Sequence, residues 1–108
     1  MPKKPVSISE TISQTMNPVT LRQWGAAGFL RGYFLNIWVP TFNNVLNNEA
    51  WKNFVSKRYL KGSSEPYVFI VRFSNPAMAA EMKWYKENLL ESINERMKGQ
   101  FLRDIRFY

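Results

Sequence analysis

The chemistry this sequence can offer is concentrated between Trp51 and Lys61. That stretch holds Lys52, Lys57, Arg58 and Lys61 with no acidic residue among them, and interleaves them with Trp51 and Tyr59. Cations gathered in this way neutralise phosphates, and each such contact adds to the salt dependence of binding. An aromatic ring beside them can stack on an unpaired base, worth about 1–3 kcal/mol. Arg72, on the strand expected next, joins the set. The alternative is that the lysines guard an exposed strand edge against aggregation while Trp51 and Tyr59 pack on the sheet.

Other chemistries lack their residues. The chain has no cysteine and no histidine, so it has no thiol nucleophile, no Ser–His or Cys–His dyad and no Cys- or His-ligated zinc. Eight acids against 15 Lys+Arg, a formal charge of +7, leave few carboxylates for catalysis and favour anionic partners. The expectation is a non-enzyme with no cofactor, no metal and no small-molecule substrate. No apolar run is long enough to span a membrane, and none follows Lys3 and Lys4 as a leader would require. A cytoplasmic protein is expected, nucleoid-associated if it binds DNA. At 108 residues and 45% apolar, the chain has room for one folded domain with a real core.

The elements that must position these residues follow from periodicity. Residues 1–18 read as a basic, partly loose segment in which Ser7 or Ser9 can cap a turn reaching Gln14. The domain is expected over 19–108. Asn17-Pro18 signals a turn, and Thr20 reads as the cap of a long helix. Leu21, Trp24, Ala27, Leu30, Phe34, Ile37 and Trp38 form its apolar face, with Trp24 and Trp38 in the core. Gly25, Gly28 and Gly32 weaken that helix and read as sites of close packing or a bend. Pro40 kinks or restarts it, and it ends among Asn43, Asn44, Asn47 and Asn48.

A strand from Phe54 to Leu60, a loop over Gly62–Pro66 and a strand over Tyr67–Phe73 predict an antiparallel hairpin. On the first strand Lys57 shares a face with Val55 and Tyr59 and opposes Arg58, so one side cannot hold all four cations. Asn75 and Pro76 open a single helix. Met78, Met82, Tyr85, Leu89, Ile93 and Met97 line its buried face, Asn94 stays solvated with the glutamates, and Gly99 stops it. Trp84 lies off that face, and is assigned either to a protein interface or to covering the N-terminal helix. The last strand, Phe101–Tyr108, has Ile105 and Phe107 on one face. The order is α-β-β-α-β, an α+β fold with helices packed on one face of a small three-stranded sheet.

The second half carries a resemblance. Tyr67-Val-Phe-Ile-Val-Arg-Phe73 runs into Ser74-Asn-Pro-Ala-Met-Ala-Ala-Glu-Met82, then Leu89-Leu90, Ile93-Asn94 and a closing Asp104-Ile105-Arg106-Phe107. In order and spacing this resembles the DciA family of bacterial replicative-helicase loaders, over roughly Leu30 to Tyr108, with Trp38 at the position of a family tryptophan. Met78 stands where the family often has Trp. Asn43 stands where it has Gly, and Asn can supply the same positive φ. The resemblance implies a KH-like domain and a DNA-binding adaptor in DNA replication, with DNA and the replicative helicase as partners. The phosphate-clamping Gly-x-x-Gly loop of KH domains is matched as a string by Gly25–Gly28, with no helix pair expected around it. A protein-interaction module without DNA affinity and a KH-like RNA-binding protein remain the competing readings.

Overall fold

The computed structural model describes residues 17–108, so the turn expected between Ser7 and Gln14 lies outside them. Helix α1 (Pro18–Gln23) is capped by Asn17, not by Thr20. The Asn17 side chain accepts the Thr20 N–H at 3.0 Å, and Pro18 fills the first helical position, where a missing N–H is harmless. Gly25 takes φ +66 and breaks the expected long helix, so α2 (Ala27–Leu46) starts afresh. A Cβ on Gly28 or Gly32 would meet open space, so neither serves close packing. Pro40 sits inside α2 without ending it. The carbonyl it orphans belongs to Asn36, and both residues lie on the exposed side, where water can serve as donor. Asn47 closes the helix in the left-handed region (φ 56), while Asn43 remains helical.

A 3₁₀ turn (Ala50–Phe54) then leads into β1 (Val55–Lys61), β2 (Tyr67–Phe73), α3 (Pro76–Lys83), α4 (Lys86–Arg96) and β3 (Leu102–Phe107). Asn75 caps α3 through the Ala77 N–H at 2.9 Å, with Pro76 in the first turn. The sheet order is β1-β2-β3. β1 is antiparallel to β2, and β3, reached through the α3–α4 crossover, is parallel to it. The α+β arrangement with helices on one face of a three-stranded sheet is therefore the observed fold.

Two local departures matter. The helix expected over Pro76–Met97 is two helices, because the Trp84 and Tyr85 N–H groups bond the carbonyls three residues back, Glu81 and Met82, both at 3.1 Å. At the end of α4, Lys98 rather than Gly99 takes the positive φ. Gly99 is instead kept small by a neighbour, since a Cβ there would stand 3.1 Å from the Arg22 guanidinium carbon.

The core lies between α2, α3, α4 and the sheet. Phe34, Trp38, Phe42, Trp51, Phe69, Phe101, Leu89 and Ile93 are all buried in it. Leu21 and Trp38 are core as expected, but Trp24 is 66% exposed beside the Gly25 break. Asn94, expected in solvent, is half-buried. Its amide donates to the Leu102 carbonyl and its oxygen accepts the Leu102 N–H, both at 2.9 Å, so it caps the outer edge of β3.

Arg22 ties the periphery together. Its guanidinium meets both Glu65 oxygens in the β1–β2 loop at 3.0–3.1 Å and also donates to the carbonyls of Met97 and Lys98 at the end of α4. This fork satisfies last-turn carbonyls that have no intrahelical donor. Arg22→Ala is expected to lower the unfolding free energy by about 1.5–3 kcal/mol in urea titrations. Arg22→Lys should recover little of it, because an ammonium cannot span the same acceptors.

Candidate nucleic-acid interface

Strand register divides the sheet into two faces. Tyr67, Phe69, Val71 and Phe73 of β2, with Ile105 and Phe107 of β3, point into the helix-covered core. Their alternates define the other face. Lys57 pairs with Arg72, Tyr59 with Ile70 and Lys61 with Val68, while Asp104 and Arg106 flank Val68 and Ile70 from β3. Residues opposite one another on paired strands share a face, so Lys57, Tyr59, Lys61, Arg72 and Arg106 stand together. Tyr108 joins them, with the Arg72 guanidinium carbon 5.3 Å from its ring centre. Lys57 Nζ lies 5.4 Å from the Tyr59 ring centre. Both tyrosines are exposed, at 39% and 50%, whereas Val68 and Ile70 between the charged rows are buried. The face thus has an apolar floor and rows of long basic side chains whose stems can cover it.

A bulge decides which cations arrive there. Val55 pairs with Phe73 and Lys57 with Arg72, leaving Ser56 unpaired, its hydroxyl donating to the Arg72 carbonyl at 3.2 Å. Val55 therefore faces the core, not the side it was expected to share with Lys57. Arg58 faces the same way as Val55, with its guanidinium carbon 5.8 Å from the buried Trp38 ring.

Charge on the open face is lopsided. Among the described residues no carboxylate lies within ion-pair distance of Lys57, Arg58, Lys61 or Arg72. Asp104 is the acid of this face, and it is engaged by Lys86 Nζ at 2.7 Å and Arg106 Nε at 3.3 Å. Burial pushes its carboxyl pKa up. The hydrogen bonds from Lys86 and Arg106, the Lys86 charge and the Ile105 N–H outweigh that and hold it below the usual value. The hydrogen bond that Arg106 donates to Asp104 in turn raises the Arg106 pKa, with a smaller contribution from Tyr108.

Of the residues singled out in the sequence, Lys57, Tyr59, Lys61 and Arg72 come together. Trp51 does not join them: it is 1% exposed, and its indole N–H donates to Asn43 Oδ1 at 2.9 Å, so no base can reach its ring. Lys52 is set apart on the 3₁₀ turn beside Glu49, at 3.8 Å. Arg58 is on the opposite face. Trp84 is 86% exposed at the α3–α4 turn and covers no helix. Arg106 and Tyr108 were missed, although the alternation that sets Ile105 and Phe107 inward already implies that they point outward. The string Gly25–Gly28 does fall at a turn between two helices, α1 and α2, contrary to expectation. The adjacent cation Arg22 is nevertheless held by Glu65 and two carbonyls.

Among the described residues no group of three or more acidic side chains is placed to hold a metal ion. No described helix is long and apolar enough to cross a membrane.

A carboxyl whose pKa is lowered by folding stabilises the fold above its ordinary value near about 3.9, and that contribution fades as pH falls through the lowered value. Asp104→Asn is therefore expected to reduce stability by up to about 1 kcal/mol at neutral pH, measured by urea midpoint. The gap from the parent should shrink at about pH 2.5. No family model, curated protein or solved structure matches this chain.

Proposed function

We propose that this chain is a non-enzymatic DNA-binding adaptor that engages phosphates with the open face of its sheet. The observation that carries the reading is the grouping of Lys57, Lys61, Arg72 and Arg106 on the sheet face away from the described helices, where Asp104 is the acid among the described residues and is already engaged. Backbone phosphates need only positive charge within reach, and a row of long cations over an apolar floor supplies it without sequence preference. Tyr59 and Tyr108 are exposed and each has a cation near its ring, which suits them to stacking on an unpaired base. DNA rather than RNA, and a replicative helicase as the protein side of the adaptor, rest on the resemblance to DciA and belong to the same proposal.

Fluorescence anisotropy with labelled single- and double-stranded DNA tests it. Four phosphate contacts predict a loss of affinity between 50 and 200 mM salt of about 50-fold for a single strand and about 150-fold for a duplex. The quadruple variant Lys57→Gln, Lys61→Gln, Arg72→Gln, Arg106→Gln should lose most of the binding and flatten the salt dependence. Its circular dichroism should match the parent, because all four side chains are exposed. Undiminished binding by the quadruple variant would overturn the reading.

A further inference from the structure

The α3–α4 turn presents Lys83-Trp84-Tyr85-Lys86. The tightened hydrogen bonds at Trp84 and Tyr85 keep Tyr85 partly inside and turn Trp84 outward, where it is the most exposed of the large apolar side chains described. Trp84 shares a shallow depression with Lys83, Glu87 and Asn88. This turn is joined to the open face of the sheet. Lys86, two residues from Trp84, bonds Asp104, which bonds Arg106. Cations therefore lie on both sides of this link, Lys57, Lys61, Arg72 and Arg106 on the sheet and Lys86 and Lys83 on the turn that carries Trp84.

We propose that Trp84 is a base-stacking residue of the same interface, taking an unpaired base of a single strand that crosses the open face from β1 to β3 and continues onto the α3–α4 turn. The inference rests on the DNA-binding reading and adds to it the class of ligand, a single strand with exposed bases. An indole offers the largest flat surface among the side chains, and stacking on it tolerates any base. A duplex keeps its bases stacked internally and offers Trp84 nothing but backbone. Lys83 and Glu87 in the depression offset one another in charge, so the feature it offers a ligand is the flat face of the indole.

The test uses a Trp24→Phe background, which removes the other exposed indole. The probes are oligothymidine and a blunt duplex of mixed sequence. Oligothymidine should quench the exposed tryptophan emission, and the duplex should not. Trp84→Ala should weaken oligothymidine binding about 5- to 150-fold, the range for one stacked base, and leave duplex affinity within about twofold. Trp84→Tyr should restore most of the difference. If Trp84→Ala leaves both affinities unchanged while the quadruple sheet variant abolishes them, this inference falls, the DNA-binding reading stands and Trp84 reverts to a protein interface. Equal losses on both probes also overturn it. If neither probe binds, both proposals fall.

Discussion

Phe69 is the fixed point of the molecule. It is fully buried on the central strand, and the rings of Phe34, Trp38 and Phe42 surround it with centres 4.8, 5.1 and 6.3 Å away. Edge-to-face packing of this kind constrains direction as well as distance, so one side chain sets where the long helix α2 crosses the sheet. Trp51 and Phe101 extend the same aromatic layer. With α3 and α4 drawn to the same core by Met82, Leu89 and Ile93, the described helices lie on one side of the sheet, and the other face is left to charged and aromatic side chains.

That one-sidedness leaves the edges of the sheet to be managed separately. A sheet of three strands has two edges, and the structure treats them differently. β3 is capped from outside by Asn94 at Leu102 and by Asp104 at the Ile105 N–H. Among the described residues β1 has no such cap and is instead lined with cations, the usual defence against edge pairing. The two explanations offered for the basic stretch are therefore not exclusive. Arg58 sits over Trp38 beyond the edge of the core, while its neighbours Lys57 and Lys61 belong to the open face.

Much of this was legible where the governing interaction is local. The β2 limits, the Asn75-Pro76 start and the hairpin follow from alternation and from cap chemistry acting over three or four residues. What was hidden depends on distant partners. Nothing in the segment from Pro76 to Met97 contains a breaker, so the division at Trp84 has no local signal. Arg22 gives no local signal of its role, because the residues it binds lie 43 and 75 positions away. Of the candidate site, Lys57, Tyr59, Lys61 and Arg72 were recoverable from strand alternation. Trp51 was misread because it precedes the strand, in a 3₁₀ turn that swings the indole into the core.

The bulge at Ser56 has a consequence in simple arithmetic. Val55 and Leu60 are five positions apart, an odd number, and in an uninterrupted strand of period two they would face opposite ways. Both pack against the core, which is possible only because one residue between them is uncounted by the partner strand. The phase of everything after position 56 is thus set by a residue count and not by any side chain's preference. Drawing Ser56 into regular pairing without removing a residue would force the strand to give up either Val55 or Leu60 from the core, and in the second case to put Arg58 in place of Lys57, Tyr59 and Lys61 on the outer face. The composition of the basic surface is therefore guarded by the hydrophobic requirement of the other side of the sheet.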